Sequence, residues 1–199
     1  MSPKARKAAA GTPCFAAIDF ETADYGSDSA CAIGVVRVKN GRIIERYYRL
    51  IRPPRDRFIF TYIHGITWPQ VCLEPGFAQL WPEISAAIGD SEFLAAHNAR
   101  FDRKVLETCC QAAGLQAPPQ PYVCTVELAR KTWSIRPTQL PAVCGRLGID
   151  LDHHQALSDA EACARIVLAA FKEGWRPMSA DASPQGDQGH GAPAPRPAL

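Results

Sequence analysis

Phe15-Ala16-Ala17-Ile18-Asp19-Phe20 is the stretch on which the reading of this chain turns. A short, nearly continuous apolar run marks a central strand buried on both faces. Asp19 and Glu21 interrupt that character. Lying at i and i+2 they share one face of the strand, and two carboxylates on one side of a buried strand are costly without a partner.

Working outward, Ala32 to Val38 and Arg42 to Ile51 read as two more strands. They are joined at Lys39-Asn40-Gly41, where Asn-Gly is a strong hairpin signal, so the chain opens as an antiparallel meander. After Pro53-Pro54 and a loop through His64-Gly65-Ile66-Thr67, the residues Phe77, Leu80, Trp81, Ile84 and Ile88 recur on one helical face. A strand follows at Phe93 to Ala96. The next helix begins near Asn98 as its N-cap, carries Phe101, Val105, Leu106, Cys109 and Ala113 inward, and stops at Gly114. A short strand at Tyr122 to Cys124 precedes helices over Val126 to Lys131 and Gln139 to Leu147. The last helix runs from Ser158 to Glu173, with a Ser158/Glu161 capping box and Ala160, Ala164, Val167 and Phe171 inward. This order argues an α/β domain: a mixed sheet, meander first and parallel strands after it, flanked by helices.

The 199 residues are 47% hydrophobic and 21% charged, with a formal net charge of +2. No apolar run approaches the ~20 residues of a membrane helix, so no membrane partner is expected, and the charge neither demands nor forbids nucleic acid. The eight cysteines sit mostly in apolar segments and form no C-x-x-C pair or zinc-spaced cluster; they read as reduced, buried thiols. Met1 to Pro13 is basic but lacks the apolar stretch of a secretory signal, so a cytoplasmic location is expected. Residues 1–13 and the Pro/Gly/Ala-rich 175–199 read as disordered tails around a domain at 14–174.

Two further acids stand where a core or a helix start should be. Asp102 falls in the stripe of Val105, Leu106 and Cys109, and Asp159 lies in the first turn of the last helix. No basic residue is interleaved with these four acids, so they repel one another unless a cation neutralises them. An oxygen-only ligand set suits a hard divalent ion, Mg²⁺ or Mn²⁺. Each acid alone is unremarkable; their joint occurrence in order is the signal.

Three segments then resemble one family. Asp19-Phe20-Glu21-Thr22 is similar to the D-x-E-T motif of DEDDh 3′–5′ exonucleases, the DnaQ-like group that includes the proofreading epsilon subunit of bacterial DNA polymerase III. His97-Asn98-Ala99-Arg100-Phe101-Asp102 resembles its H-N-x-x-F-D motif, and His154-Gln155-Ala156-Leu157-Ser158-Asp159 its H-x-A-x-x-D motif. His64-Gly65-Ile66-Thr67 resembles its H-G-I-T loop. The resemblance covers Cys14 to Gly174 and implies a ribonuclease-H-like fold with a five-stranded mixed sheet.

It further implies that Asp19, Glu21 and Asp159 hold one metal, and Asp19 with Asp102 a second, in a two-cation Mg²⁺ or Mn²⁺ site. His154 is then the general base for hydrolysis that releases nucleoside 5′-monophosphates. Phe20 and Thr22 flank the acids and cradle the terminal nucleotide in the family, although Phe20 reads equally as core; His64 is a candidate contact to the 3′-terminal sugar or base. His97 and Asn98 read as orienting groups or caps, and His153, outside the motif register, as a loop residue. The implied partner is a nucleic-acid 3′ end, DNA before RNA. An exoribonuclease of the oligoribonuclease or RNase T type is the alternative enzyme, and a binding module with a vestigial site the non-enzymatic one. Ala23 after Thr22 and the run Ser29 to Gly34 resemble stand-alone epsilon-like exonucleases; the C-terminal segment shows no glutamine-led clamp-binding motif, and a polymerase partner and the oligomeric state stay open.

Overall fold

The structure, a computed structural model, describes residues 14–177. The expected tails therefore lie largely outside the described residues. β1 (Phe15–Thr22), β2 (Ala30–Lys39) and β3 (Arg42–Leu50) form the antiparallel meander. At its β2–β3 turn Asn40 and Gly41 both take positive φ, 52° and 73°, which is what a two-residue primed hairpin turn demands. Two one-turn helices, α1 (Thr61–His64) and α2 (Trp68–Val71), occupy the stretch read as loop, and α3 (Phe77–Ile88) follows. β4 (Phe93–Ala96), α4 (Arg100–Ala112), β5 (Tyr122–Cys124), α5 (Thr125–Trp133), α6 (Leu140–Leu147) and α7 (Ala156–Lys172) complete the chain. The sheet has five strands in the order β3-β2-β1-β4-β5, with β4 and β5 parallel to β1. It is the mixed, helix-flanked ribonuclease-H-like arrangement expected.

β1 is central because both of its faces are apolar. Phe15 and Ala17 pack with residues of α5, α6 and α7 on one side of the sheet; Ala16, Ile18 and Phe20 pack with α3 and α4 on the other. By the same alternation Asp19 and Glu21 face the α7 side. α7 comes very close to that face because most of its buried positions are small, Ala156, Ala160, Ala162, Cys163, Ala164 and Ala170 among them. The tightest point is Gly34 on β2, the ladder partner of Asp19. A Cβ there would collide with the carbonyl of Ala156 and stand 2.6 Å from the Leu157 nitrogen.

Several local readings are corrected. α4 takes Ala99, not Asn98, as its N-cap; Asn98 has φ 62° and no side-chain capping bond, so its role is to turn the chain out of β4. Phe101, read as inward, is 44% exposed, because at roughly 100° per residue it falls at the edge of the stripe formed by Asp102, Val105, Leu106 and Cys109. α7 begins at Ala156 with Gln155 as N-cap, its side chain accepting from the Ser158 N–H at 2.7 Å. The Ser158/Glu161 capping box does not form: the Ser158 hydroxyl accepts the Asp152 N–H at 2.8 Å, and Glu161 binds Arg46 of β3 and Arg165. Trp175 and Arg176, read as tail, belong to the folded domain. Trp175 packs edge-on against Phe93 and Phe171, and its N–H bonds the Ala170 carbonyl. All eight cysteines are free thiols, most of them buried as expected.

Gly34→Ala forces either β2 or the first turn of α7 to move. We expect it to cost about 1–3 kcal/mol, the range for overpacking a tight contact, read as a lower melting temperature; an unchanged value would show that α7 yields freely at this point.

Candidate active site

The site grows from the way β1 ends. Its parallel ladder with β4 stops at Ala17–Ala95, yet the strand continues to Thr22, so Phe20 has a backbone N–H with no strand partner on that side. Asp102, in the first turn of α4, supplies one: its Oδ1 accepts the Phe20 N–H at 3.1 Å. Asp102 is 1% exposed and its Oδ2 is buried without a hydrogen bond. On the face toward α7, Asp19, Glu21 and Asp159 place carboxylate oxygens within 4.8 Å of one another. Asp159 Oδ2 accepts from His153 Nδ1 at 3.0 Å and from the His154 backbone N–H at 3.2 Å, which leaves Oδ1 buried and unpaired.

Electrostatics follow from that crowding. Burial, reinforced by Asp102, Asp159 and Glu21, drives the Asp19 carboxyl well above its ordinary range. Glu21 is pushed up to about 8 by burial and then by Asp159 and Asp102. Asp102 rises to about 7, burial outweighing its backbone hydrogen bonds. Asp159 is also raised by burial, although both neighbouring histidines pull it back. No lysine or arginine is among the residues lining the cleft of about 420 Å³ above these acids. Asp19, Glu21 and Asp159, converging with no lysine or arginine in the lining, fit a hard divalent ion, and Asp102, whose Oδ2 is also orphaned, stands behind Phe20 beside them.

Four histidines border the cleft, and hydrogen bonding separates their roles. His64 donates from Nε2 to the Thr22 carbonyl at 3.2 Å and accepts the Ile66 N–H on Nδ1 at 3.0 Å. His97 donates from Nε2 to the Thr138 carbonyl at 2.8 Å, so Nδ1 accepts from the Thr125 hydroxyl, also at 2.8 Å. Both are neutral struts with their ring nitrogens used, and burial lowers the pKa of each. His153 spends Nδ1 on Asp159. Only His154 has neither ring nitrogen in a hydrogen bond among the described residues. Burial and the adjacent His153 lower its pKa, which keeps it in the basic form at neutral pH.

Of the residues expected at the site, the structure brings Asp19, Glu21, Thr22, His64, His97, His154 and Asp159 to the cleft wall, with Asp102 behind Phe20. Phe20 borders the cleft, but its ring is buried with Ile18 and Leu94 in the core. Asn98 is exposed and outside the lining. Sequence reasoning missed Phe60, Ile63, Phe101, Gln139 and Leu140, which form an apolar collar with one amide, and it set His153 aside. Phe60 and Ile63 reach the cleft because their segment is tied down: Ile59 and Phe60 donate backbone N–H groups to the Ala23 carbonyl. Arg55, in the same connection, grips both Asp24 and Asp28 and holds Asp24 well below the usual carboxylate range. Only Phe101 had a local signal, its place one residue before Asp102.

The arrangement is matched among known proteins. The RNase T exonuclease family profile covers residues 16–167. The PolC-type DNA polymerase III of Thermotoga maritima is 32% identical over 162 residues, 79% of this chain and 12% of that protein. Its counterpart from Halalkalibacterium halodurans is 33% identical over 165 residues, 80% of this chain and 11% of that protein. The chain thus spans only 11–12% of the length of these curated relatives. Among solved structures, exonuclease X in complex with 5′ overhanging duplex DNA superposes with a TM-score of 0.67 at 28% identity, over 81% of this chain and 93% of that one. The nuclease domain of 3′hExo, a DEDDh family member bound to rAMP, shares the fold with a TM-score of 0.69 at 22% identity, over the same shares. By sequence, by fold and by its convergent acids, the chain belongs to the RNase T exonuclease family, in its DEDDh, DnaQ-like group.

Proposed function

We propose that this exonuclease removes nucleotides from the 3′ ends of DNA, single-stranded or frayed, and releases nucleoside 5′-monophosphates. The observation that carries the reading is the convergence of Asp19, Glu21 and Asp159 on the wall of an open cleft, with Asp102 behind Phe20 and one buried, unpaired carboxylate oxygen on each of Asp102 and Asp159. The family uses divalent metal ions, and here Asp19, Glu21 and Asp159 would hold one and Asp19 with Asp102 a second. Bound there, Mg²⁺ or Mn²⁺ supplies activation of water and charge stabilisation at the leaving 3′ oxygen.

The chain's own groups do the rest. His154, neutral and with both ring nitrogens available, takes the proton of the attacking water. His64 and His97 hold the walls on either side. Phe60, Ile63 and Phe101 offer apolar surface against which a terminal base packs, as single-stranded ends require. DNA is favoured because the similar exonuclease X carries duplex DNA and the curated relatives are DNA polymerases. Free thiols throughout accord with a reducing, cytoplasmic setting.

Two measurements test this. Purified protein with Mg²⁺ or Mn²⁺ is expected to shorten 3′-ended DNA faster than matched RNA or a 2′-O-methyl-terminated oligonucleotide. Asp19→Ala should abolish release, and His154→Ala should lower kcat by about 10²–10⁴-fold, the usual worth of a general base. Faster RNA cleavage would turn the assignment to an exoribonuclease. A folded, metal-bound protein that leaves every substrate intact would defeat the enzymatic reading.

The second concerns metal and pH. Acids whose pKa is raised by folding carry protons that the unfolded chain has released, so the metal-free protein loses stability as pH rises from about 4 through the Glu21 value of about 8. A divalent cation relieves that loss. The rise in melting temperature on replacing EDTA with Mn²⁺ is therefore expected to be larger at pH 8 than at pH 5; equal rises would contradict the metal assignment.

A further inference from the structure

His153 was set aside on spacing, being six positions before Asp159 and outside the motif, but the fold returns it to the site. The turn that does so passes through His154, a non-glycine residue at φ 68°. Left-handed backbone is unfavourable for a residue that carries a Cβ and persists where surrounding contacts hold it. Here the contacts are visible. With the chain reversed at His154, the His153 ring lies over the start of α7 and donates from Nδ1 to Asp159 Oδ2, while its face stacks on the His154 ring at 3.7 Å and 25°. A carboxylate cannot donate when ionised, so Nδ1 carries the hydrogen.

We propose that His153 is a positioning residue that orients the metal ligand Asp159 and the base His154 together. Two donors, His153 Nδ1 and the His154 backbone N–H, occupy Asp159 Oδ2. Oδ1 is thereby left buried without a hydrogen bond, the oxygen free for a cation in the group that Asp159 forms with Asp19 and Glu21. The same imidazole, by stacking, fixes the plane of His154, whose own nitrogens make no bond that would do so. One side chain thus sets the angle between ligand and base, a relation that neither motif residue fixes for itself. Partners that orient a metal ligand in this way are typically worth 10–100-fold in metal affinity or activity.

This inference rests on the metal-dependent reading of the site, and its test separates the two. His153→Phe keeps a stacking ring and loses the donor; His153→Asn keeps a donor at the reach of Nδ1 and loses the ring. Mn²⁺ binding without nucleic acid, followed by the loss of the free-ion electron paramagnetic resonance signal, reads the donor alone, with melting in EDTA confirming that each variant folds. We expect His153→Phe to weaken Mn²⁺ binding by about 10-fold or more and His153→Asn to stay near wild type. In turnover at saturating Mn²⁺, His153→Asn should lower kcat with KM little changed. Near-wild-type Mn²⁺ binding by folded His153→Phe, in a protein where Asp159→Asn abolishes it, overturns the proposal and leaves the metal site standing. Absence of Mn²⁺ binding by the wild type overturns the metal reading itself.

Discussion

Four carboxylates forced together at one end of a buried strand are the constraint around which this protein is organised. Like charges in a low-dielectric place cannot all ionise unaided, and Asp19, Glu21, Asp102 and Asp159 all show it by their raised pKa values. A domain optimised for stability alone would place apolar side chains there. The remainder of the fold makes the cost bearable: from Phe15 to Ile18 β1 is apolar and buried on both faces, its first three residues pair with both neighbouring strands, and β2 stays paired along the acid-bearing end, so the strand stays in place while that end carries the repulsion.

The acids also come from separate parts of the chain, and each is delivered by a different local device. Asp19 and Glu21 share a face through strand alternation. Asp102 arrives because β1 runs past its ladder with β4 and a helix start fills the gap. Asp159 arrives because a nearly side-chain-free seam, Gly34 against Ala156, lets α7 lie close on the sheet. Histidines at the rim act as fixed spacers, and the one with unengaged nitrogens stands beside the last acid.

Much of this was legible in the sequence, because the informative signals are local. An apolar run with acids at i and i+2 states both the strand and the anomaly, and Asn40-Gly41 states the hairpin. What was not legible depends on where helices start by a residue or two. Phe101 was assigned to the core on periodicity, but it stands at the edge of the buried stripe of α4 and borders the cleft. The capping box at Ser158 failed because Gln155, a less favoured cap, started α7 earlier. His153 lay beyond any spacing rule, since its approach to Asp159 is made by one left-handed residue. Phe60 and Ile63 reach the cleft through the Arg55 ion pairs and the Ala23 carbonyl, contacts between loops that leave no periodic trace.

The position of α7 in the chain has a consequence in time. Synthesis proceeds from the N-terminus, and β1, β2 and β3 can pair early because their contacts are close in sequence. Asp159 and His154, however, come from the last described helix and the turn before it, and they meet Asp19 only when α7 closes the sheet. Until then the emerging chain presents Asp19, Glu21 and Asp102 without Asp159 and its neighbouring histidines. Assembly of the acid cluster therefore waits on α7, since a chain without that helix cannot bring Asp159 to the end of β1.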